Sequence, residues 1–290
     1  DPVRSPWVKS SVSPPPCRRL LGEFGEARSE ALLAASFSHP GLTLRVNTLR
    51  TTREGLTERL NAAGVQTEST LRSRSGLRIS GGAAPLELPG FAEGLFFVQD
   101  EASQLCVEAL DARPGMRVLD TCACPGPKSF GAAIDMSNDG ELVSCDLHAS
   151  KLSLLTSGAA RLGLSILRAE RRDAREPCPE WVGRFDRVLC DVPCSGYGVI
   201  AKKPELRYKD PEASAALPDI QLSILRRSAE FLAPGGRLVY STCTILPQEN
   251  RANINRFLDA APRFRLTAET ALYPDADATD GFYIAVLERG

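Results

Sequence analysis

The sequence predicts an α/β fold, in which a mostly parallel sheet carries helices on both faces and follows a small α+β domain. Two observations lead to this prediction. From about Glu101 onward, short apolar runs typical of buried strands alternate with segments of helical periodicity, which is the pattern of a parallel sheet. Residues 42–100 instead contain short strands separated by Gly and Pro turns. With 290 residues, the chain is long enough for both units.

Residues 1–41 are predicted to form an N-terminal helical and linker segment. The prolines of SSVSPPP, residues 10–16, indicate a stiff linker. Apolar residues then recur with helical spacing over residues 18–37, with an interruption near Gly25. Because the chain opens with Asp1 rather than Met, we expect a processed chain or a fragment, for which an upstream domain can be missing.

Residues 42–100 are predicted to form the small α+β domain. TLRVN, residues 43–47, alternates between apolar and polar side chains in the manner of a strand. Thr51 and Glu54 have the spacing of a capping box, which predicts a helix from this point to about Gly64.

Residues 101–290 are predicted to form the larger α/β domain. The predicted strands are residues 117–121, 141–145, 165–169, 186–191 and 237–242. The predicted helices are residues 102–110, 128–137, 149–162, 213–233 and 247–260. A last strand, FYIAVLE at residues 282–288, is expected to complete the sheet at its edge.

Composition excludes several classes of protein. No apolar run approaches the ~20 residues that a membrane-spanning helix needs, and the N-terminus lacks the pattern of a secretory signal. The cysteines are nine, an odd number, and Cys106, Cys145 and Cys190 lie in apolar runs, so free thiols in a reducing cytoplasm are expected. Residues 1–80 carry 12 Lys or Arg against 7 Asp or Glu. This basic front end fits either a polyanionic partner or an ordinary solvated surface.

The segment VLDTCACPGPK, residues 118–128, predicts a ligand-binding loop between a buried strand and a helix. A helix start offers free backbone N–H groups and the positive end of the helix dipole. Gly126 lets a ligand approach the backbone, and Pro127 suits a first helical turn. The loop has neither the G-x-G-x-x-G spacing of dinucleotide folds nor the G-K-S/T of a phosphate loop, so nucleoside triphosphate hydrolysis is not expected.

Acidic residues lie at or near the ends of four successive strands of the predicted sheet: Asp120, Asp146, Asp173 and Asp191. An acid after the second strand can accept hydrogen bonds from both hydroxyls of a ribose, and Asp173 can accept one from an exocyclic amine. Each acid alone would read as a helix cap or a loop residue, but the set favours a bound nucleoside. Since a phosphate loop is missing, S-adenosylmethionine is the expected cofactor.

Two cysteines follow the fourth and fifth strands, Cys194 in DVPCSG and Cys243 in YSTCT. The carboxyl ends of parallel strands meet at the ligand crevice, where a thiolate is a strong nucleophile. Each cysteine alone would more often be a small buried residue, but the polar, turn-forming neighbours of both argue against burial.

A metal site is not expected. The chain has no C-x-x-C pair, and its two histidines, His39 and His148, lie far apart in the sequence. Cys122 and Cys124 are therefore interpreted as small residues that line the cofactor loop.

At this point a family resemblance becomes specific. VLDTCACPGPK, CDVPCSGYGVIAKKPELRYK and GGRLVYSTCTILPQEN resemble the motifs of the RNA cytosine-C5 methyltransferases, in particular bacterial members that act on small-subunit ribosomal RNA. The resemblance continues through LRVNTLR, LPGFAEGLFFVQDEAS and DGFYIAVLER and covers residues 40–290. It implies a Rossmann-like sheet of the type found in S-adenosylmethionine-dependent methyltransferases.

The resemblance also implies a reaction: methyl transfer from S-adenosylmethionine to C5 of a cytosine in RNA, through a covalent cysteine adduct at C6. Cys243 would be the nucleophile, Cys194 would assist release, and Asp191 would lie near the methionine part of the cofactor or near the base. Lys128 would either favour the thiolate by its charge or pack within the loop.

The same resemblance assigns the cofactor contacts. Asp146 would bind the ribose and Asp173 the adenine side. The loop residues that would hold the cofactor are Cys122, Ala123, Cys124, Pro125, Gly126, Pro127 and Lys128. The family usually has two glycines before this lysine, whereas this chain has Gly126 and Pro127, and proline removes an N–H that could contact the cofactor. A weaker affinity is therefore expected.

RNA is the expected partner of the site. A base must leave its stack to meet a thiol and a methyl donor together, so a flipped or single-stranded target is expected. The basic residues predicted to contact RNA are Lys202, Lys203, Arg207 and Lys209 in IAKKPELRYK, and Arg45 in the small domain. A solvated basic loop is the alternative.

Two other functions stay open from the sequence. Transfer RNA would suit the same chemistry as ribosomal RNA, and a catalytically silent RNA-binding protein of ribosome assembly would keep the fold. A DNA cytosine methyltransferase fits less well, because its nucleophile would be the Pro-Cys cysteine, Cys194, which would leave Cys243 without a role. The protein is expected to act as a monomer, away from membranes.

Overall fold

Two sheets, one small and one large, organise the protein. The computed structural model describes residues 5–38, 41–80 and 84–290. The elements that precede the large sheet are α1 Pro6–Lys9, α2 Pro14–Ala35, β1 Leu42–Val46, α3 Arg53–Ala62, β2 Thr67–Ser69, β3 Gly76–Ile79 and β4 Phe96–Val98. The four strands form an antiparallel sheet in the order β2-β3-β1-β4.

The large sheet and its helices follow. Their bounds are α4 Glu101–Leu110, β5 Arg117–Asp120, α5 Pro127–Asp135, β6 Glu141–Asp146, α6 Leu152–Leu162, β7 Leu167–Arg171, β8 Phe185–Asp191, α7 Leu217–Phe231, β9 Leu232–Thr242, α8 Arg251–Ala260, β10 Phe264–Leu272 and β11 Phe282–Arg289. The strand order is β10-β11-β9-β8-β5-β6-β7, and β5 to β9 are parallel. The predicted α/β fold class, with helices on both faces, is confirmed.

The final strand was predicted at the edge of the sheet, and this prediction is wrong. β11 lies between β9 and β10 and pairs antiparallel with both. β10, which forms the edge, was not predicted from the sequence. Its apolar residues alternate with polar ones and most of its side chains are exposed, so it lacks the continuous apolar run by which the inner strands were recognised.

Alternating side chains divide the core between the two faces of the sheet. Leu119 and Val143 point to the face that α7 and α8 cover. Their neighbours Val118 and Leu142 point to the face that α4, α5 and α6 cover, as the two-residue period of a strand requires. In the described ranges, no helix is long and apolar enough to cross a membrane.

The N-terminal segment differs from the predicted linker. Pro14, Pro15 and Pro16 form the first turn of α2 rather than a separate linker, because the amide groups that proline lacks have no helical partner at this position anyway. Gly25 interrupts α2 with φ 72° and ψ 175°, where an interruption was expected. In the small domain, Thr52 caps α3 by accepting a hydrogen bond from the Gly55 amide, one residue beyond the predicted cap.

α2 packs against the loops that follow β8 and β9. Leu20 and Leu33 of the helix form one buried cluster with Tyr197 and Ile245 of those loops. The N-terminal segment therefore supports the edge of the sheet at which both predicted reactive cysteines lie.

Candidate active site

Three of the four predicted acids are the last residues of parallel strands. Asp120 ends β5, Asp146 ends β6 and Asp191 ends β8, whereas Asp173 lies two residues beyond β7. All four therefore lie at the carboxyl edge of the sheet, where ligands bind in open α/β folds.

Asp120 does not face this crevice. It is 1% exposed, and one carboxylate oxygen accepts a hydrogen bond of 2.7 Å from the Ser129 hydroxyl. Burial raises the pKa of Asp120 to about 7 despite that hydrogen bond. Asp120 therefore connects β5 to α5, and three of the four acids remain as candidates for a ligand contact.

The cofactor loop places a helix start at the crevice. Gly126 caps α5 with φ 117°, and a Cβ at this position would lie 2.5 Å from the ring of Phe130, so only glycine fits without rearrangement. Within the described residues, no hydrogen-bond acceptor faces the amides of Gly126, Lys128 and Ser129. Pro127 occupies the first helical position and contributes no such donor.

Among the residues that the structure describes, the acids at the ends of β6 and β7 accept hydrogen bonds from close neighbours in the sequence. Asp146 accepts a hydrogen bond of 2.8 Å from the His148 amide, which leaves its second oxygen available to a ligand. Asp173 accepts from the Arg175 side chain, and this interaction is the main reason that the pKa of Asp173 is lowered. Both side chains are partly exposed, as a ligand contact requires.

The two predicted reactive cysteines meet. The Sγ atoms of Cys194 and Cys243 are 3.2 Å apart, although 49 residues separate them in sequence. Both cysteines are partly exposed, in contrast to Cys106, Cys145 and Cys190, which are buried as predicted. The structure thus brings two partly exposed cysteines together at one edge of the sheet.

A charged pair lies beside these thiols. Lys128 donates a hydrogen bond of 2.6 Å to Oδ2 of Asp191, and the Ser241 hydroxyl donates one of 2.6 Å to Oδ1. The ring of Phe282 lies 5.1 Å from the Lys128 ammonium. Burial would lower the pKa of Lys128, but the Asp191 carboxylate outweighs that effect and the pKa rises, so this lysine stays charged.

The two thiols have opposite electrostatic environments. A hydrogen bond from Cys194 is the main cause that lowers the pKa of Cys243, and Lys128 and Lys203 lower it further. The pKa of Cys194 is raised well above its usual range, first by that hydrogen bond and then by burial. The pair therefore favours a thiolate at Cys243 and a thiol at Cys194.

Sequence reasoning missed several residues that support the site. Ser241 lies two residues before Cys243 in YSTCT, Phe282 lies in the DGFY segment, and Glu249 is the fifth residue of ILPQEN. From the sequence, these three segments serve the family resemblance alone, and the three residues have no assigned role. Nothing near Gln221, in the first half of α7, indicates from sequence that it supports the site.

Three of the five residues predicted to contact RNA have other roles. Arg45 is 1% exposed and pairs with Asp135 at 2.8 Å. Arg207 is 6% exposed and donates to the backbone oxygens of Ser10 and Ser36. These two side chains cannot reach a bound strand from their buried positions, so both predictions are wrong.

Of the three lysines in the same loop, Lys202 is paired with carboxylates of the protein, whereas Lys203 and Lys209 are exposed. The ammonium of Lys202 lies 2.7 Å from a carboxylate oxygen of Asp100 and 2.7 Å from one of Asp280. Its charge is thus balanced within the protein, and the predicted RNA contact is not supported. Lys203 and Lys209 are exposed, and an RNA contact by either stays a prediction.

In the ranges that the structure describes, no three His, Cys, Asp or Glu side chains are grouped as metal ligands. His148 is exposed after β6, and His39 lies outside the described residues.

Comparison with known proteins identifies the family. The family described as 16S rRNA methyltransferase RsmB/F matches residues 107–288, which is more than half of the chain. The chain belongs to this family. A second family, described as the ferredoxin-like domain of RsmF/B-like methyltransferases, matches residues 17–84. The predicted family is confirmed, whereas the predicted boundaries at residues 41 and 100 stay predictions.

Curated relatives agree with this placement in the RsmB/F family. The probable ribosomal RNA small subunit methyltransferase B of Bacillus subtilis is 36% identical over 311 residues, which cover 100% of this chain and 69% of that protein. The ribosomal RNA small subunit methyltransferase B of Vibrio cholerae is 35% identical, over 93% of this chain and 64% of that protein. The chain thus spans about two thirds of the length of these relatives.

Solved structures show the same architecture. The crystal structure of PH0851 matches with a TM-score of 0.92 and 31% identity, over 98% of this chain and 67% of that chain. A methyltransferase homolog from Pyrococcus horikoshii matches with a TM-score of 0.87 and 27% identity, over 98% of both chains. Both matches include the N-terminal segment and the two sheets together.

Proposed function

We propose that this chain transfers a methyl group from S-adenosylmethionine to C5 of a cytosine in RNA, with small-subunit ribosomal RNA as the substrate. The observation that carries the proposal is the pair of cysteine thiols, 3.2 Å apart, beside the Lys128–Asp191 pair. A C5 methyltransferase needs one sulfur nucleophile and a second group that helps to release it. The names of the curated relatives support ribosomal RNA over transfer RNA.

The residues at the β5–β7 end fit S-adenosylmethionine. The amides at the start of α5 have no protein acceptor in the described residues, and Gly126 has a left-handed backbone that packs against Phe130 and Leu155, where a Cβ would clash. Asp146 would accept hydrogen bonds from the ribose hydroxyls and Asp173 would lie toward the adenine. When bound, S-adenosylmethionine supplies an electrophilic methyl group on a sulfonium.

The nucleophile acts first. The Cys243 thiolate adds to C6 of the cytosine, so that a bond between Sγ and C6 forms and the electron pair of the C5–C6 double bond moves toward C5. C5, a poor nucleophile in the aromatic ring, becomes able to take up a methyl group. Asp191, held by Lys128 and Ser241, can accept a hydrogen bond from the exocyclic amino group and orient the base.

Release depends on the second thiol. Once Cys243 is a thioether, the hydrogen bond that most raises the pKa of Cys194 is gone, so Cys194 can lose its proton to solvent. Its thiolate then takes the proton from C5, the C5–C6 double bond re-forms, and the C6–sulfur bond breaks with its electron pair returning to Cys243. The resting pair, a Cys194 thiol and a Cys243 thiolate, is restored.

A trapped adduct tests this proposal. Cys194→Ala should retain the nucleophile and lose the release step, so that incubation with S-adenosylmethionine and small-subunit ribosomal RNA gives a covalent protein–RNA band on a denaturing gel. The double variant Cys194→Ala/Cys243→Ala is the matched control and should give no band. An adduct that forms in Cys243→Ala but not in Cys194→Ala would show that the two roles are reversed.

The same assay separates the alternatives. Transfer RNA in place of ribosomal RNA should give little adduct. Absence of any adduct, together with absence of S-adenosylmethionine binding by calorimetry, would favour a silent RNA-binding protein over an enzyme.

A further inference from the structure

A buried polar cluster lies behind Cys194 and is not used by the reaction described above. Its centre is Glu249, which is 3% exposed and ends the short 3₁₀ helix Pro247–Glu249. Gln221 of α7 and Asn253 of α8 are fully buried beside it. Buried polar side chains in such numbers are costly unless each is hydrogen-bonded, and these three form a connected network.

The network holds the residues on both sides of Cys194. Oε2 of Glu249 accepts a hydrogen bond of 2.9 Å from the Ser195 amide. Nε2 of Gln221 donates two hydrogen bonds, one to the Pro193 carbonyl at 2.9 Å and one to Oε2 of Glu249 at 2.7 Å. Cys194 itself makes none of these contacts, so its backbone is fixed while its thiol stays free to face Cys243.

The network is itself fixed from behind. Asn253 donates to Oε1 of Gln221 at 3.1 Å, and the Tyr240 hydroxyl donates to the backbone oxygen of Glu249 at 2.6 Å. On the opposite side, the hydroxyls of Ser195 and Thr244 are 2.8 Å apart, which connects the residue after Cys194 to the residue after Cys243. The separation of the two sulfurs therefore depends on this cluster.

The charged groups around the two thiols are distributed unevenly. Lys128 of α5 and Lys203 of the loop after β8 act on Cys243. Glu249 acts on Cys194, and Asp191 of β8 acts on both. The positive charges near Cys243 and the negative charge of Glu249 near Cys194 both favour a thiolate at Cys243 and a thiol at Cys194.

We propose that Glu249 is a positioning residue that fixes the Cys194 loop and, through its negative charge, keeps the shared proton on Cys194 so that Cys243 carries the thiolate. This inference rests on the proposed function of the two cysteines. It adds a reason why two thiols in contact do not exchange roles: the carboxylate disfavours a second negative charge on the nearer sulfur.

Two substitutions separate the charge from the hydrogen bonds. Both donors use one oxygen of Glu249, Oε2, so a glutamine amide oxygen can accept both, and Glu249→Gln removes the charge alone. Glu249→Asp keeps the charge and shortens the reach. Glu230→Gln, at an exposed position of α7, is the control for loss of one negative charge.

The measurement is alkylation by iodoacetamide between pH 5 and 9, with the modified cysteine identified by peptide mass spectrometry, in the absence of RNA and cofactor. The wild type and Glu230→Gln should be modified at Cys243 at lower pH than at Cys194. Glu249→Gln should raise the share of label on Cys194 by about tenfold, because a change of about one unit in the difference between the two thiol pKa values changes the ratio of the thiolates tenfold. Glu249→Asp should change that share less.

Either of two results would overturn the inference: Glu249→Gln that labels like the wild type, or a wild type in which Cys194 reacts at the lower pH. The second result needs no variant, so it decides the matter even if Glu249→Gln does not fold. The proposed methyl transfer is judged separately, by the RNA adduct, and survives either result.

Discussion

The two halves of the sheet edge are built in different ways. At the ends of β5, β6 and β7, the polar groups that face the crevice have few partners. The amides of Gly126 and Lys128 at the start of α5 have no protein acceptor in the described residues, and Asp146 and Asp173 accept hydrogen bonds from residues two positions away. At the ends of β8 and β9, the polar groups have distant partners. Lys128 reaches Asp191 across 63 residues.

This difference separates binding from reaction. Polar groups without partners are costly in a folded protein unless water or a ligand satisfies them, so the β5–β7 half has the properties of a ligand-binding surface. Groups already fixed by several hydrogen bonds need no rearrangement when charge develops during a reaction. The β8–β9 half has the properties of a preorganised reaction centre. Substitutions in the two halves should therefore have separable effects.

The largest effect is expected in the reaction half. Cys243→Ala removes the only group proposed to attack C6 and should lower methyl transfer by at least about 10³-fold, measured as tritium incorporation from labelled S-adenosylmethionine. Its cofactor dissociation constant, measured by calorimetry, should stay within about twofold of the wild type, because the thiol is not among the proposed cofactor contacts. Cys178→Ala, a thiol buried elsewhere, is the control. A parallel loss of cofactor affinity in Cys243→Ala would show that the halves are not separable.

An intermediate effect is expected in the binding half. Asp146→Asn removes the charged acceptor proposed for the ribose hydroxyls and should weaken S-adenosylmethionine binding by about 10- to 100-fold, the value of hydrogen bonds to a charged group. Alkylation of Cys243 should keep its pH profile. Asp139→Asn, at an exposed position before β6, should change neither quantity. If Asp146→Asn binds the cofactor normally, Asp146 is a loop residue and its ribose role is wrong.

The smallest effect is expected at the helix start. Pro127→Gly restores an amide at the first position of α5 and should tighten S-adenosylmethionine binding by about two- to tenfold, the value of one neutral hydrogen bond. The unfolding free energy should fall by about 0.4–1 kcal/mol, because glycine makes the unfolded chain more flexible. Pro262→Gly, in an exposed loop before β10, should show only the stability change. Unchanged affinity in Pro127→Gly would mean that the missing amide is not a cofactor contact.

The sequence predicted the features that depend on local pattern. The parallel strands were recognised because each is a short apolar run, and the cofactor loop because Gly126 and Pro127 mark a strand-to-helix junction. The approach of Cys194 to Cys243 followed from one rule, that parallel strands present their carboxyl ends at the same edge. In each case neighbouring residues carry the information.

The predictions that failed depend on distant partners. Arg45 read as a surface cation because nothing near it in sequence indicates Asp135, which lies 90 residues away. Arg207 read the same way, although its partners Ser10 and Ser36 belong to the N-terminal segment. β10 escaped recognition because an edge strand with polar side chains resembles a loop until its pairing with β11 is known.

The packing of α2 against the loops after β8 and β9 limits how this protein can be shortened. Leu20 and Leu33 share a buried cluster with Tyr197 and Ile245, and the Arg207 guanidinium is bound by backbone on either side of the helix. A catalytic sheet excised without α2 would expose this apolar surface to water and would release the two loops that carry the sulfurs. We expect such a fragment to retain the cofactor half and to lose the arrangement of Cys194 and Cys243, so a shortened form of this domain needs α2.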